Sequence, residues 1–522
     1  MKTKWMTIGT AAAVVSGLSL TLAPTVSAAS ANPYSQPETI SIAFPGNGSA
    51  GYEYSSNDPM IQFLQKKFNV TFKFVTETWS NFDSQPSLWA ASGQLPDIFF
   101  SDNYYNATTY NQWIKSGVIQ ALPGNVTSYP YLAKILKRPD VQALKLNGKF
   151  YFWPLSLGAN NLFPGDRGVF VRKDWLQKLG LTNEPATWND FVTMLKDFVN
   201  KNPDHETNVV GLTANNEGFL QDMLWNVFPT HGYWEKEGGR WIPGWTDPKM
   251  MNIVNDIHQL YSQGLLDKDF SNGNNPYITK FVNGQAGAIV FQPKNINQVE
   301  TAWNQAHPKE PFTKYVEPLI MPPGPNGKRY IPEFYDYYGG EFINASADST
   351  KMQRILAIFN YLLSPSGQKL TQYGFEGKDW TMAKGKIKSL HPAGWDPTKE
   401  YPSIYTWQFL ADWGLTKPGQ NEFPTVGPVE NGGGSDPATW KMIGSYYNWA
   451  YKHEVSTPIN WAVNSFTYTL PAVTANTGDW FSQAVASNNP EQVWRKAVTT
   501  WMTGGGSQQI NIVSKKYAKA NN

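Results

Sequence analysis

Thr39-Ile40-Ser41-Ile42-Ala43-Phe44, then Pro59-Met60-Ile61-Gln62-Phe63-Leu64-Gln65-Lys66-Lys67-Phe68, then Val70-Thr71-Phe72-Lys73-Phe74-Val75 is the stretch that decides the fold. Its first segment alternates and stops at Pro45-Gly46-Asn47-Gly48, which predicts a half-buried strand feeding a loop. The second sets its apolar residues along one helical face, with Asp58 placed to cap the amino end. The third is a strand again, so the chain opens β-α-β.

The same alternation continues. Ser87 to Ser92 predicts a helix, Pro96 to Asp102 a short apolar strand ending in polar residues, and Trp113 to Ile119 another helix. Strands and helices in turn imply an α/β fold with a mostly parallel sheet under helices. In such sheets ligands bind beyond the carboxyl ends of the strands, where Asn47, Asp102 and Asn103 fall. Each of the three also reads as an ordinary turn or cap residue.

Gly168 to Leu181 reads as strand, helix and Gly180 stop, and Thr187 to Val199 as a helix capped by Thr187 with Asp190 in the capping-box position. Further helices are expected at 247–263, 277–283, 349–363 and 491–502, with short buried strands at 287–291 and 340–344. The Pro-, Gly- and Trp-rich stretch 392–436 reads as an irregular surface insertion. No fixed-period repeat is present.

Composition narrows the function. The 522 residues are too many for one ordinary domain, and with 41% apolar residues the chain is too apolar for disorder. Lys+Arg number 43 and Asp+Glu 41. Lys2 and Lys4 lie in the leader, so a chain starting near residue 30 carries 41 of each and no net charge, which argues against nucleic acid as a partner. The absence of cysteine excludes disulfides, thiolate metal sites, a Cys nucleophile and a lipid-modified cysteine. Trp at 22 and Tyr at 26 against 28 Phe give many rings a polar handle, which suits wet, amphipathic binding surfaces.

Residues 1–31 read as a secretory signal peptide: two lysines, an apolar run from Met6 to Leu22, Pro24, then small residues through Ala31. The mature protein is therefore expected to be exported, to an extracellular, wall-associated or periplasmic location.

Several blocks now fall in order. They are Leu95-Pro96-Asp97-Ile98-Phe99-Phe100, Asn147-Gly148-Lys149-Phe150-Tyr151-Phe152-Trp153-Pro154, Val171-Arg172-Lys173-Asp174-Trp175-Leu176, Gln263-Gly264-Leu265-Leu266-Asp267, Phe281-Val282-Asn283-Gly284-Gln285-Ala286-Gly287 and Ser364-Pro365-Ser366-Gly367. Their order and spacing resemble family 1 extracellular solute-binding proteins, the maltose-binding-protein-like receptors of ABC sugar importers, in their large Gram-positive branch. The likeness runs from about residue 39 to the C-terminus.

The resemblance implies a two-lobed, type II periplasmic-binding-protein-like α/β fold, mixed sheets flanked by helices, with a hinge between the lobes and sugar held in the cleft. Mapped on this chain, one lobe is 32–155 plus 320–370, and the other is 165–315 plus 380–522 with the insertion at 392–436. The crossings are expected near 154–167, 317–322 and 363–380. The implied partners are an oligosaccharide and the membrane subunits of an ABC permease, the chain acting as a monomer without a cofactor.

A neutral oligosaccharide offers hydroxyls and flat C–H patches, so its receptor needs aromatic faces and a few fixed polar groups. Strand ends and crossings supply Asp102, Asn103, Arg167, Phe291, Gln292, Tyr335, Tyr337 and Tyr338, and Trp225 and Trp380 are stacking candidates, with Trp79 and Trp407 behind them. The resemblance independently points to Asp102, Asn103 and Phe291. Arg167 also suits a hinge ion pair, and the tryptophans suit the core.

Two other classes stay open. A secreted carbohydrate hydrolase would need two carboxylates facing one bond, for which Asp102, Glu333 and Asp336 are the nearest offers. A wall-associated adhesive protein on the same fold is the third reading. No nucleophile elbow, phosphate loop or metal-spaced His pair appears, and the six His are scattered.

The resemblance also implies a calcium loop after the helix that Thr187 begins. Here that position reads Asn202-Pro203-Asp204-His205-Glu206-Thr207-Asn208, without the Gly and closing acids that calcium prefers, so no metal is expected. With no lipobox cysteine, the protein is not expected to be a lipoprotein.

Overall fold

The computed structural model describes residues 34–45, 57–156, 167–272, 275–332, 337–392, 395, 400–411 and 436–521. Its strands are β1 (Glu38–Pro45), β2 (Val70–Glu77), β3 (Ile98–Ser101), β4 (Trp153–Ser156), β5 (Gly168–Arg172), β6 (Val210–Ala214), β7 (Trp234–Glu237), β8 (Arg240–Pro243), β9 (Ala286–Phe291), β10 (Val316–Leu319), β11 (Tyr330–Pro332), β12 (Tyr337–Ile343), β13 (Trp380–Ala383), β14 (Lys386–Ser389) and β15 (Val455–Thr457). Two larger sheets, each wrapped by helices, form the two lobes.

The first sheet has the order β2-β1-β3-β12-β4. β1 lies parallel between β2 and β3, with Ile42 opposite Phe74 and Ile98, and β12 runs antiparallel between β3 and β4. The period of two sends Ile40, Ile42 and Phe44 into one core with Ile98, Phe100 and Trp153, and Ala43, Phe99 and Phe342 into the core on the other face. The opening helix, Pro59–Phe68, starts because Asp58 Oδ1 accepts from the amides of Met60 and Ile61 at 2.8 and 3.3 Å, and it stops at Asn69 in the left-handed region.

The second sheet has the order β10-β5-β9-β6, with β5 antiparallel to both neighbours and β6 parallel to β9. Both faces are again buried: Val169, Val171, Leu212 and Val290 on one side, Phe170, Ile289 and Phe291 on the other. The helix Trp188–Lys201 begins at the expected capping box, where Thr187 Oγ1 accepts from the Asp190 amide at 3.1 Å and donates to its carboxylate at 2.8 Å. Gly287 lets this helix seat on the sheet, since a Cβ there would lie 2.2 Å from the Phe198 ring.

Three expectations need correction. The helix placed at 113–119 is Ala107–Lys115, because Asn106 caps it by accepting from the Thr109 amide and Gly117, at φ 65°, follows its end. The stretch 392–436 is not wholly irregular: Ile404–Ala411 is a helix.

The third concerns lobe membership. The chain does not cross near 363–380, and the described residues of 401–410 pack in the first lobe and not the second. Tyr401, Ile404, Trp407 and Phe409 are buried in the first core, and Trp407 meets Phe72 at 5.0 Å between ring centres. The Ser403 amide donates to Asp58 Oδ2 at 2.8 Å, so the opening helix cap also anchors this late segment. Asp379 ties the intervening hairpin down, accepting from the Phe375 amide, the Tyr401 hydroxyl and His391 Nε2 at 2.6, 2.7 and 2.9 Å.

From residue 437 the chain builds on the second lobe. The helix Pro437–His453 puts Ile443 and Tyr447 against the outer face of the second sheet, and Phe481 and Trp494 of two later helices fill the inner core. The helix Trp461–Thr467 joins both lobes. Its Asn464 accepts from the Trp234 amide at 2.9 Å, and its Ser465 Oγ lies 2.5 Å from the Tyr337 hydroxyl of β12.

Candidate functional site

The topology selects which sheet edges can meet. β4 ends at Ser156, opposite Tyr337, and Gly340 further along β12 faces Ser101 at the end of β3. The chain therefore leaves the first sheet at the edge where β1, β2 and β3 end. It enters the second sheet at Gly168, opposite Phe291, and leaves it at Leu319, opposite Val169. The two edges that carry the candidate residues are thus the ones turned to the crossings.

The first edge is acidic. Glu77 ends β2 with 0% exposure, and neither carboxylate oxygen has a hydrogen-bond partner among the described residues. Burial, reinforced by Asp83, pushes its pKa well above the usual value. Asp102, just past β3, is raised to about 8, first by burial and then by a hydrogen bond and repulsion from Asp83. Asn103 holds the Asp83 loop in place, its Nδ2 donating to the Asp83 carbonyl at 2.7 Å and to Ser101 Oγ at 2.9 Å. Above them Trp79 is 36% exposed and stands edge-on to Phe82 and Phe100, with ring centres at 5.5 and 6.1 Å.

The second edge is built around Arg167. Its guanidinium lies 4.0 Å from the centre of the Phe219 ring, and its Nε is 3.9 Å from Asp222. Burial raises Asp222 to about 6 although Arg167 pulls the other way. Phe291 is only 2% exposed and stacks on Tyr277 with ring centres at 5.9 Å. Beside it Gln292 Oε1 accepts from Asn295 Nδ2 at 2.8 Å, and the buried Asn295 Oδ1 has no partner among the described residues.

The structure brings Asp102 with Asn103, and Arg167 with Phe291 and Gln292, onto the two edges. Trp225 borders the second, since its neighbour Asn226 donates to the Arg167 carbonyl at 3.3 Å. The Trp225 ring is buried against Tyr233 and His231, and its Nε1 has no partner among the described residues.

Trp380 is a core residue: 3% exposed, its Nε1 donates to the Gly374 carbonyl at 3.0 Å. Tyr337 is buried too, its hydroxyl spent on Ser465. Tyr338 lies in β12, and Tyr335, with Glu333 and Asp336, lies outside the described residues.

Sequence reasoning missed Glu77, Asp83, Asp222, Tyr277 and Asn295. Glu77 was the most findable, because an acid closing an alternating strand at its carboxyl end breaks the pattern.

Comparison with known proteins bears on this geometry. Over 413 residues, 75% of this chain and 76% of the relative, it is 27% identical to "Lipoprotein LipO" of Bacillus subtilis (strain 168). Its fold matches the alginate-binding protein AlgQ2, solved without calcium ion, with a TM-score of 0.66 at 17% identity, covering 93% of this chain and 99% of the other. It also matches the ABC-transporter substrate-binding protein FusA of S. pneumoniae in complex with kestose, with a TM-score of 0.62 at 18% identity, covering 92% and 98%. Residues 53–369, more than half of the chain, match a single family, and the chain belongs to it: the bacterial extracellular solute-binding proteins.

Proposed function

We propose that this protein is an exported receptor that captures an oligosaccharide between the two sheet edges and passes it, unaltered, to an ABC importer. The observation that carries the reading is the set of buried polar atoms left unpaired at those edges: the Glu77 carboxyl, Asn295 Oδ1 and Trp225 Nε1. Unmade hydrogen bonds in a buried site cost on the order of 1–3 kcal/mol each, and sugar hydroxyls both donate and accept. Trp79 adds a partly exposed ring of the kind that covers a sugar face.

FusA, similar in fold, holds kestose, which supports a carbohydrate as cargo. Arg167, Asp102, Asn103 and Gln292 are the polar contacts in this reading, with Phe291 and Tyr277 as the apolar floor of the second edge. Tyr335 and Tyr338 adjoin the first edge in sequence. Closure about the crossings would bury the ligand, with no change to its bonds. Export by the leader, without lipid on a cysteine, completes the proposal.

A glycan-panel thermal-shift screen tests it. A ligand that binds only the folded state raises the unfolding temperature by mass action. At least one neutral oligosaccharide should raise it, and chromatography of the recovered glycan should show unchanged chain length. Shortened products would favour a hydrolase, and no shift with any soluble glycan would favour the adhesive reading.

A further inference from the structure

The loop after the helix Trp188–Lys201 is where the resemblance implies calcium, and the side-chain oxygens of Asn202 and Asp204 and the Asn202 and Pro203 carbonyls are already engaged. Asp204 Oδ1 accepts from Lys178 Nζ at 2.8 Å, and its Oδ2 accepts from an Arg172 guanidinium nitrogen at 2.6 Å. The Pro203 carbonyl faces the same Lys178 ammonium at 3.4 Å. Asn202 Oδ1 accepts from the Glu206 amide at 3.0 Å, and its Nδ2 donates to the Glu206 carbonyl at 2.7 Å. These residues do not fit a calcium ion.

We infer that Arg172 and Lys178 stand in for the metal: a guanidinium and an ammonium supply the two positive charges, and the loop is a metal-independent staple of the second lobe. Arg172 suits the part. It lies at the end of β5, chelates Asp174 through Nε and a terminal nitrogen at 2.8 and 2.6 Å, and is wedged between the Trp175 and Trp303 rings at 5.1 and 5.3 Å. The planar fork binds two carboxylates at fixed angles, which a lone ammonium cannot do. Gly284 closes the other side, where a Cβ would stand 3.0 Å from Asp204 Oδ2. A calcium ion brought to Asp204 would meet two full positive charges at contact distance, and it would have to displace both.

The staple ties the end of β5 and the helix Lys173–Leu179 that follows it directly to the turn before β6, with Asp204 lying 32 positions beyond Arg172. The left-handed residues Asn202, His205 and Asn208 give the turn its shape without a metal to fold around.

The test is thermal unfolding of the full chain in excess EDTA and in millimolar calcium chloride, with calorimetric titration of calcium. Unfolding temperatures that coincide in the two buffers, with no heat of calcium binding, are expected. A rise of several degrees with calcium, or saturable calcium binding, would overturn the inference. Asp204→Asn, which keeps the shape and removes the charge, should lower the unfolding temperature by about 2–4 °C in both buffers. An unchanged temperature would also overturn it. Should that variant not fold, the calcium titration of the unaltered chain still decides.

Discussion

The Tyr337 hydroxyl and Ser465 Oγ lie 2.5 Å apart, and through them β12, the antiparallel strand of the first lobe, is bonded to a helix held by the second. Tyr468, three residues beyond Ser465, stands edge-on to Tyr104 and Tyr105 with ring centres at 5.4 and 4.6 Å, so the contact is a patch and not a single bond. Tyr337→Phe would leave the buried Ser465 hydroxyl without this partner and should cost about 1–3 kcal/mol. A double-mutant cycle with Ser465→Ala, read by denaturant unfolding, should show coupling between the two. Additive effects would mean that the bond contributes nothing.

Two tryptophans distinguish the proposed ligand edge from the core. Trp407→Ala removes a fully buried ring packed on Phe72 and Phe74 and should destabilise by about 3–5 kcal/mol. Trp79→Ala, at the partly exposed edge, should leave most of the stability in place and weaken glycan binding by about 1 kcal/mol, roughly fivefold in Kd. Calorimetric titration alongside urea unfolding separates the two effects.

The acid pair at the first edge sets a pH dependence. Asp102 is raised to about 8 in the folded chain, so between the unfolded value and that point the folded state binds more protons, and stability falls as pH rises through this window. Asp102→Asn should flatten that part of the profile, gaining stability relative to the unaltered protein at pH 9 and little at pH 4. Unfolding temperatures measured across that range would show it, and parallel profiles would exclude Asp102 as the titrating group.

Glu341, in the middle of β12, is buried with neither oxygen partnered among the described residues, and burial raises its pKa well above normal. Glu341→Met fills similar volume with no polar group to satisfy. It should stabilise by about 1–3 kcal/mol, and the gain should grow toward alkaline pH, where the native acid is forced to ionise. An equal or lower urea midpoint would contradict this.

Much of the fold was legible because the signals were local. The alternation of Ile40 to Phe44, the Asp58 cap and the Thr187 capping box each act within a few residues. What sequence could not reveal was association at long range. Nothing near Tyr401 or Trp407 says that they fill the first core, because Asp58, 345 positions away from Ser403, makes the link. The Leu-Pro-Asp-Ile motif has a structural explanation: Asp97 accepts from the Ser41 amide and hydroxyl at 2.8 Å and from Lys351 Nζ at 2.9 Å, tying β1 to β3 and to a later helix.

Asp102, Asn103 and Gln292 follow strands and lie at the two edges from which the chain leaves each sheet. Trp380 and Tyr337 satisfy the same criterion of position, yet both spend their polar atoms inside the protein. Only three-dimensional contacts separate a partly exposed ring such as Trp79 from one packed inside the protein.

The bond between Asp58 and Ser403 also bears on the order in which the chain can reach its shape. The first core cannot close before residues 401–410 are present, and the second cannot close before Phe481 and Trp494 are. Each half therefore depends on contacts between residues far apart in sequence, which slows folding and leaves early segments waiting for late ones.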